Sequence, residues 1–181
     1  MNLTDQFYNQ AKLFLSDLGS AMPVKEIEEK FREKKMIGAG LSSPDFQKIY
    51  YAYLTAQVSQ RWSYCCYDQR IDSKEIQNLF FKSVLDHYAS AKDVESATHF
   101  SEALYAANSA PEQHTLISIL TAFFKKVGAD AGGDITAEHT AELFHWVAGV
   151  WDGYCSHFEN SFDDFLAELR LKGALSQEKR G

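Results

Sequence analysis

Between Phe46 and Cys65 an apolar side chain returns every three or four residues: Phe46, Ile49, Tyr50, Tyr53, Leu54, Val58, Trp62 and Cys65. That is the period of an α-helix; a half-buried strand would alternate with a period of two. Ser43, Pro44 and Asp45 stand just ahead of the run. A hydroxyl cap, a proline and an acid in the first turn are start signals for a helix. The sequence therefore predicts a long apolar helix from residue 43, and no other segment constrains the fold as much. Trp62, near the end of its stripe, is expected to bury against the helices that follow Ile71 and Ser109.

The same period recurs along the chain. Leu3, Phe7, Ala11, Phe14, Leu15 and Leu18 predict a helix over 4–18, ended by Gly19. Val24, Ile27 and Phe31 predict a second over 23–36, with Pro23 in its first turn. After Ile71, the residues Ile76, Leu79, Phe80, Val84 and His87 fall on one side of a further helix. Val94, Ala97, Phe100, Leu104 and Ala107 mark another over 93–108. Ser109 and Glu112 form a capping box for a helix carrying Leu116, Ile117, Leu120, Phe123, Phe124 and Val127. The glycine-rich stretch 128–134 breaks that helix, since each interior glycine costs about 1 kcal/mol relative to alanine. Two more segments, 136–154 and 158–171, are helical in pattern. Ser161 with Asp164 can cap a new helix there, or the two can form one bent rod.

No segment reads as a strand, and the chain holds only three prolines to interrupt its helices. Its 181 residues suffice for a core without disulfides or metals. The expected fold is all-α: a single compact, irregular bundle of about seven to eight helices over 1–172, with a frayed tail at 173–181.

A net charge of −7 argues against a nucleic-acid binder, which displays a basic face. The basic clusters at 30–35 and Lys125-Lys126 alternate with acids or lie on helical faces, as solvated charges do. Cys65, Cys66 and Cys155 are odd in number and two are adjacent, which fits neither a disulfide framework nor a zinc site. Buried, reduced thiols are expected. The N-terminus lacks the basic-then-apolar pattern of a signal peptide, and no apolar run approaches the roughly 20 residues of a membrane span. A cytoplasmic protein with neither membrane nor nucleic-acid partners is expected.

Two stretches share a pattern. In "DQRIDSKE" (68–75) and "GGDITAEH" (132–139), Ile71 and Ile135 occupy matching points, and Leu79-Phe80 and Leu143-Phe144 follow eight residues later. Carboxylates at alternate positions around an isoleucine are the logic of calcium loops. Neither copy fits a full EF-hand loop. With Ile71 as the pinning residue, Tyr64 and Cys66 take the first ligand positions and Gln69 takes the glycine position. With Ile135 there, Gly128 comes first and His139 replaces the closing glutamate. "DQRIDSKE" resembles the "DGxIDxxE" loop of TerB-like domains, the helical family of tellurite-resistance proteins. "GGDITAEH" is similar to that family's second acidic loop, and residues 103–120 resemble the region before it. Gln69 stands in place of the usual glycine and Gly132 in place of the usual aspartate. The resemblance spans about 46–155. It implies divalent-cation binding in stress-linked assemblies, by Asp68, Asp72, Glu75, Asp130, Asp134 and Glu138. The residues themselves support a plainer role: Asp72 with Glu75 as a capping box, and Thr136 as the cap of the next helix. On that reading any calcium is held more weakly than millimolar.

Other constellations are incomplete. Glu142 and His145 have the spacing of a di-iron half-site, but there is no second copy. His139, His145 and His157 are scattered over about five turns. Glu95 and His99 share a face. Gly149 and Gly153, four apart among Trp146, Val150, Trp151 and Tyr154, are expected to allow close helix contact. No phosphate loop, nucleophile elbow or dinucleotide fingerprint is present. The expected function is a non-enzymatic, cytosolic helical module that binds a protein partner or itself. The alternatives are a TerB-like divalent-cation-binding stress-response protein and a metal- or cofactor-dependent helical bundle.

Overall fold

The computed structural model describes residues 2–20, 24–37, 40–109, 115–128 and 137–175. Eight helices account for nearly all of them: α1 (Leu3–Ser20), α2 (Val24–Glu33), α3 (Ser43–Asp68), α4 (Lys74–Gln77), α5 (Leu79–Ala91), α6 (Val94–Asn108), α7 (Thr115–Gly128) and α8 (Ala137–Leu171). The all-α class read from the sequence is the class found. None of these helices is long and apolar enough to cross a membrane.

α3 is the axis. Residues 52–59 are buried without a break, which takes in every face of a helix. A helix buried all round must be enclosed, and α3 touches each of the other seven helices. Two aromatic clusters hold the enclosure. Around Trp62, which is fully buried, stand Phe7 and Phe14 of α1, Phe80 of α5, and Phe158 and Phe162 of α8, with ring centroids 5.0–6.4 Å away. The indole Nε1 donates to the Ile76 carbonyl at 2.9 Å, which ties α4 to α3. Trp62 is thus buried as expected, but against α1, α5 and α8 rather than α7. Near the other end, Phe46 and Tyr50 meet Phe123 of α7, and Phe31 of α2 packs on Phe46. Trp151 of α8 donates from Nε1 to the Tyr50 hydroxyl at 3.0 Å. Since Tyr50 meets Trp151 and Trp62 meets Phe158, α8 runs alongside α3 in the same direction.

The helix ends follow local rules. The N-cap of α3 is Ser42, one residue before the expected Ser43. Ser43 is engaged elsewhere, its hydroxyl donating to the Glu28 carboxylate at 2.6 Å. Arg32 also donates to Glu28, at 2.8 Å, and reaches the Leu41 carbonyl at 3.1 Å. Glu28 is buried, so this carboxylate pins α2 to the start of α3. Burial alone pushes its pKa up. Hydrogen bonds from Ser43, Arg32 and Gln47 and the Arg32 charge outweigh that, leaving the pKa below its ordinary value. α2, α3 and α5 each end in a left-handed residue that is not glycine: Lys35, Arg70 and Lys92, with φ of 54–55°. Behind each, a backbone N–H bonds back across the last turn, as Met36 to Phe31 and Ile71 to Cys66. A glycine is required at position 128, where a Cβ would lie 2.7 Å from the Met36 carbonyl oxygen.

Several boundaries differ from expectation. α1 continues through Gly19 to Ser20. The helix after Ile71 is two, α4 and α5, meeting at Asn78, whose side chain returns to the Lys74 carbonyl. α8 is one helix of 35 residues, and Ser161 bonds to the His157 carbonyl at 3.0 Å instead of starting a new helix. Ser109 closes α6; Pro23, Glu112, most of 128–134 and the tail from 176 lie outside the described residues. Val94 is 76 % exposed and Ile117 52 %, while His87 is also exposed, so these three fall off the core faces assigned to them.

Two outcomes follow from this architecture. Trp62→Ala should cost about 3–5 kcal/mol in urea unfolding, the range for a buried tryptophan. Glu28 has a lowered folded pKa, so its contribution to stability is complete above the ordinary glutamate value of 4.5 and is lost as pH falls through the folded value. Unfolding free energy measured down an acid series should therefore drop below that point, and Glu28→Gln should flatten that part of the profile.

Candidate functional site

The first acidic loop is a helix stop followed directly by a helix start. Asp68 is the last residue of α3, Gln69 is its C-cap and Arg70 is left-handed. Arg70 N–H bonds to the Tyr67 carbonyl at 2.9 Å and Ile71 N–H to the Cys66 carbonyl at 2.8 Å. The Ile71 side chain packs on the core, and its carbonyl accepts from Gln77 Nε2 at 2.8 Å. Ser73 then caps α4, its hydroxyl accepting from the Ile76 N–H at 3.4 Å. The capping role expected of Asp72 thus belongs to Ser73. Ile71 is fixed to the end of α3, Asp72 is the single connecting residue, and the first extended residue able to cap is Ser73. Asp72 and Glu75 are exposed. Asp130, Asp134 and Thr136 lie outside the described residues, and Glu138 falls in the first turn of α8. Among the described residues no three His, Cys, Asp or Glu side chains are grouped to hold a metal ion.

Asp68 points the other way, toward α8. With Arg61, Tyr64, Cys65 and Gln69 of α3 and Glu159 and Asp163 of α8 it lines a groove of about 200 Å³. Positions 61, 65 and 68 lie on one face of α3, and 159 and 163 are one turn apart on α8. Arg61 bonds Glu159 at 3.0 Å and approaches Asp152 at 3.7 Å. Gln69 Nε2 donates to Asp163 at 3.3 Å, and Gln69 Oε1 accepts from Arg170 at 2.9 Å. Tyr64 at the groove is 60 % exposed, and Tyr67, one turn on, 77 %. The Cys65 thiol is pushed up to about 12 by burial first and then by Glu159 and Asp163. Cys66 is likewise raised to about 12 and Cys155 to about 11, both chiefly by burial. All three are free, buried thiols that stay protonated and unreactive near neutral pH. Sequence reading found Asp68 but missed Glu159 and Asp163. Their spacing puts two acids on one face of a helix, but nothing in it names the neighbouring helix.

A larger open cleft of about 430 Å³ lies between α1, α3, α5 and α6. Tyr51, Thr55 and Tyr88 form part of its wall, and burial pushes Tyr88 up to about 12. Its charges are committed. Lys48 pairs with Glu95 at 2.7 Å, and Asp93 caps α6 through the Ser96 N–H at 3.1 Å.

The remaining constellations resolve into structure. Glu142 pairs with Lys34, just past the end of α2, at 3.0 Å, and His145 and His157 are exposed. Buried His99 lies 3.4 Å from Glu102, which also binds Lys126 at 2.9 Å. Gly149 and Gly153 are exposed with open space around them, so close helix contact is not their role in the chain as it stands.

The loop geometry predicts a contrast between neighbours. Ser73→Ala should cost about 1 kcal/mol, the usual loss for a helix cap. Asp72→Ala should stay within about 0.5 kcal/mol of wild type in the same urea titration, as an exposed side chain without a capping bond.

No protein-family model matches the sequence, and neither the curated proteins nor the solved structures provide a match.

Proposed function

We propose that this chain is a non-enzymatic, cytosolic helical module that binds a protein partner. One observation carries the reading. α3 is enclosed through the middle of the molecule, yet its last turns surface and present Tyr64 and Tyr67 to solvent, side by side at 60 % and 77 % exposure. Tyrosine is enriched at protein interfaces because it offers a rigid apolar face with a polar tip. Several groups that could carry covalent or acid–base chemistry are employed otherwise. The thiols are buried and protonated, Glu28 is a structural staple, and at the larger cleft Lys48 pairs with Glu95 while Asp93 caps α6. The divalent-ion reading implied by the TerB-like loops depends on Asp130 and Asp134, outside the described residues, and on first-loop acids of which only Asp68 lines the groove.

The test is capture of partners by tagged wild-type chain and by the double variant Tyr64→Ser with Tyr67→Ser, followed by sedimentation of the purified proteins. Both side chains are exposed, so the variant should melt with the wild type. Proteins held by wild type and lost from the variant, or a wild-type self-association that the variant lacks, are the expected result. Identical capture and identical sedimentation would remove the reading.

A further inference from the structure

We infer that the groove between α3 and α8 receives a lysine- or arginine-bearing segment of that partner; the inference rests on the protein-binding reading above. The first argument is charge. Asp68, Asp152, Glu159 and Asp163 face two guanidiniums, Arg61 and Arg170. Arg61 is committed to Glu159 and Asp152, and Arg170 to the neutral amide of Gln69. A negative excess remains, with Asp68 exposed at the mouth and making no hydrogen bond or ion pair among the described residues. The whole chain is negative as well, at −7, so it attracts a basic segment from any direction.

The second argument is shape. The groove holds about 200 Å³, room for a side-chain head rather than for a large ligand. Tyr64 stands at its edge with the ring largely open, where a passing ammonium or guanidinium can meet the π-face while its donors reach the carboxylates. Tyr67, next along the exposed face, extends the surface along which a chain can lie.

The third argument excludes other cations and other surfaces. A divalent ion needs six or more oxygens at about 2.0–2.6 Å. The groove carboxylates are not grouped for a metal, and the Arg61 guanidinium stands among them. A phosphate backbone or an anionic membrane would be repelled by the same acids. A polypeptide segment satisfies both the carboxylates and the tyrosines.

The probe is a fluorescein-labelled Lys-Arg-Ser-Gly-Lys-Arg peptide, titrated with the full chain by fluorescence anisotropy at low and at physiological salt. Saturable binding that weakens with salt is expected. Asp68→Asn combined with Asp163→Asn should weaken it about tenfold, a usual loss for removing complementary charge. Arg61→Gln should act in the opposite direction, tightening binding about threefold, because it deletes the groove's own cation and releases Glu159. That gain is something a merely damaged fold would not produce. Melting temperatures accompany each variant, and should Arg61→Gln fail to fold, the aspartate pair decides. Absence of saturable binding, unchanged affinity in the aspartate variant, or weaker binding by folded Arg61→Gln would each overturn the inference. So would spermidine binding the groove as tightly as the peptide, which would mark a site for free polyamines. If tyrosine-dependent capture persists while these fail, only the groove's assignment falls; if capture is also insensitive to the tyrosines, the protein-binding reading falls with it.

Discussion

The enclosure of α3 is the constraint on which the rest depends. Its buried run from 52 to 59 includes Thr55, Gln57 and Ser59 as well as apolar residues. Polar side chains inside a core cost free energy unless they are bonded. Thr55 answers this by donating to the Tyr51 carbonyl one turn back. Gln57 answers it in part, for its Oε1 is buried with no hydrogen-bond partner among the described residues. Leaving such an acceptor unpaired costs about 1–3 kcal/mol, which the surrounding apolar burial must outweigh. A central helix with buried polar groups on opposite sides therefore tolerates little displacement of its neighbours, and the helices around it are arranged accordingly.

The length of α8 follows from that arrangement. Phe144 meets Phe124 near the start of the helix, Trp151 meets Tyr50, Phe158 and Phe162 meet Trp62, and Phe165 meets Phe7 near its end. One rod of 35 residues, about 50 Å long, spans both aromatic clusters. A break at Ser161 would put a helix end with unpaired backbone groups beside Phe162, which is fully buried. Continuity costs less than any cap there, so the helix runs through a sequence that could have started a new one.

The existence of the helices was legible because the apolar period is local; their exact caps were not. Ser42 and Ser43 are chemically alike, and what separates them is Glu28, fifteen residues back, which takes the Ser43 hydroxyl. Asp72 and Ser73 are both good caps, and what separates them is the turn that fixes Ile71 to Cys66 and consumes one residue before the next helix can begin. Val94 and Ile117 satisfied the period yet face solvent, since a helix offers more positions at spacings of three and four than its neighbours cover. The three residues that the acidic pattern assigned to the first loop parted for the same reason. Asp68 belongs to a helix face and Asp72 to a connection, while Glu75 lies in a first turn, where its charge favours the helix dipole whether or not anything binds. The groove itself was hidden, because Asp68 and Asp163 are brought together only by the parallel course of α3 and α8, a property of the whole bundle.

That origin also accounts for what the groove can do. Exposed ion pairs contribute little to stability, commonly below about 1 kcal/mol. The charges between α3 and α8 are partly or well exposed, so the fold does not depend on their staying as they are, unlike Glu28 at the other end of α3. Arg61 can exchange one carboxylate for another, and Gln69 can turn its amide, without disturbing Trp62 one residue and one face away. The backbone beneath them is held rigid by the aromatic cluster and by the Trp62 bond to Ile76. Side chains free to re-pair on a backbone that cannot move are what a charged recognition surface requires, and here a single helix supplies both halves: its buried face sets the positions, and its open face sets the chemistry.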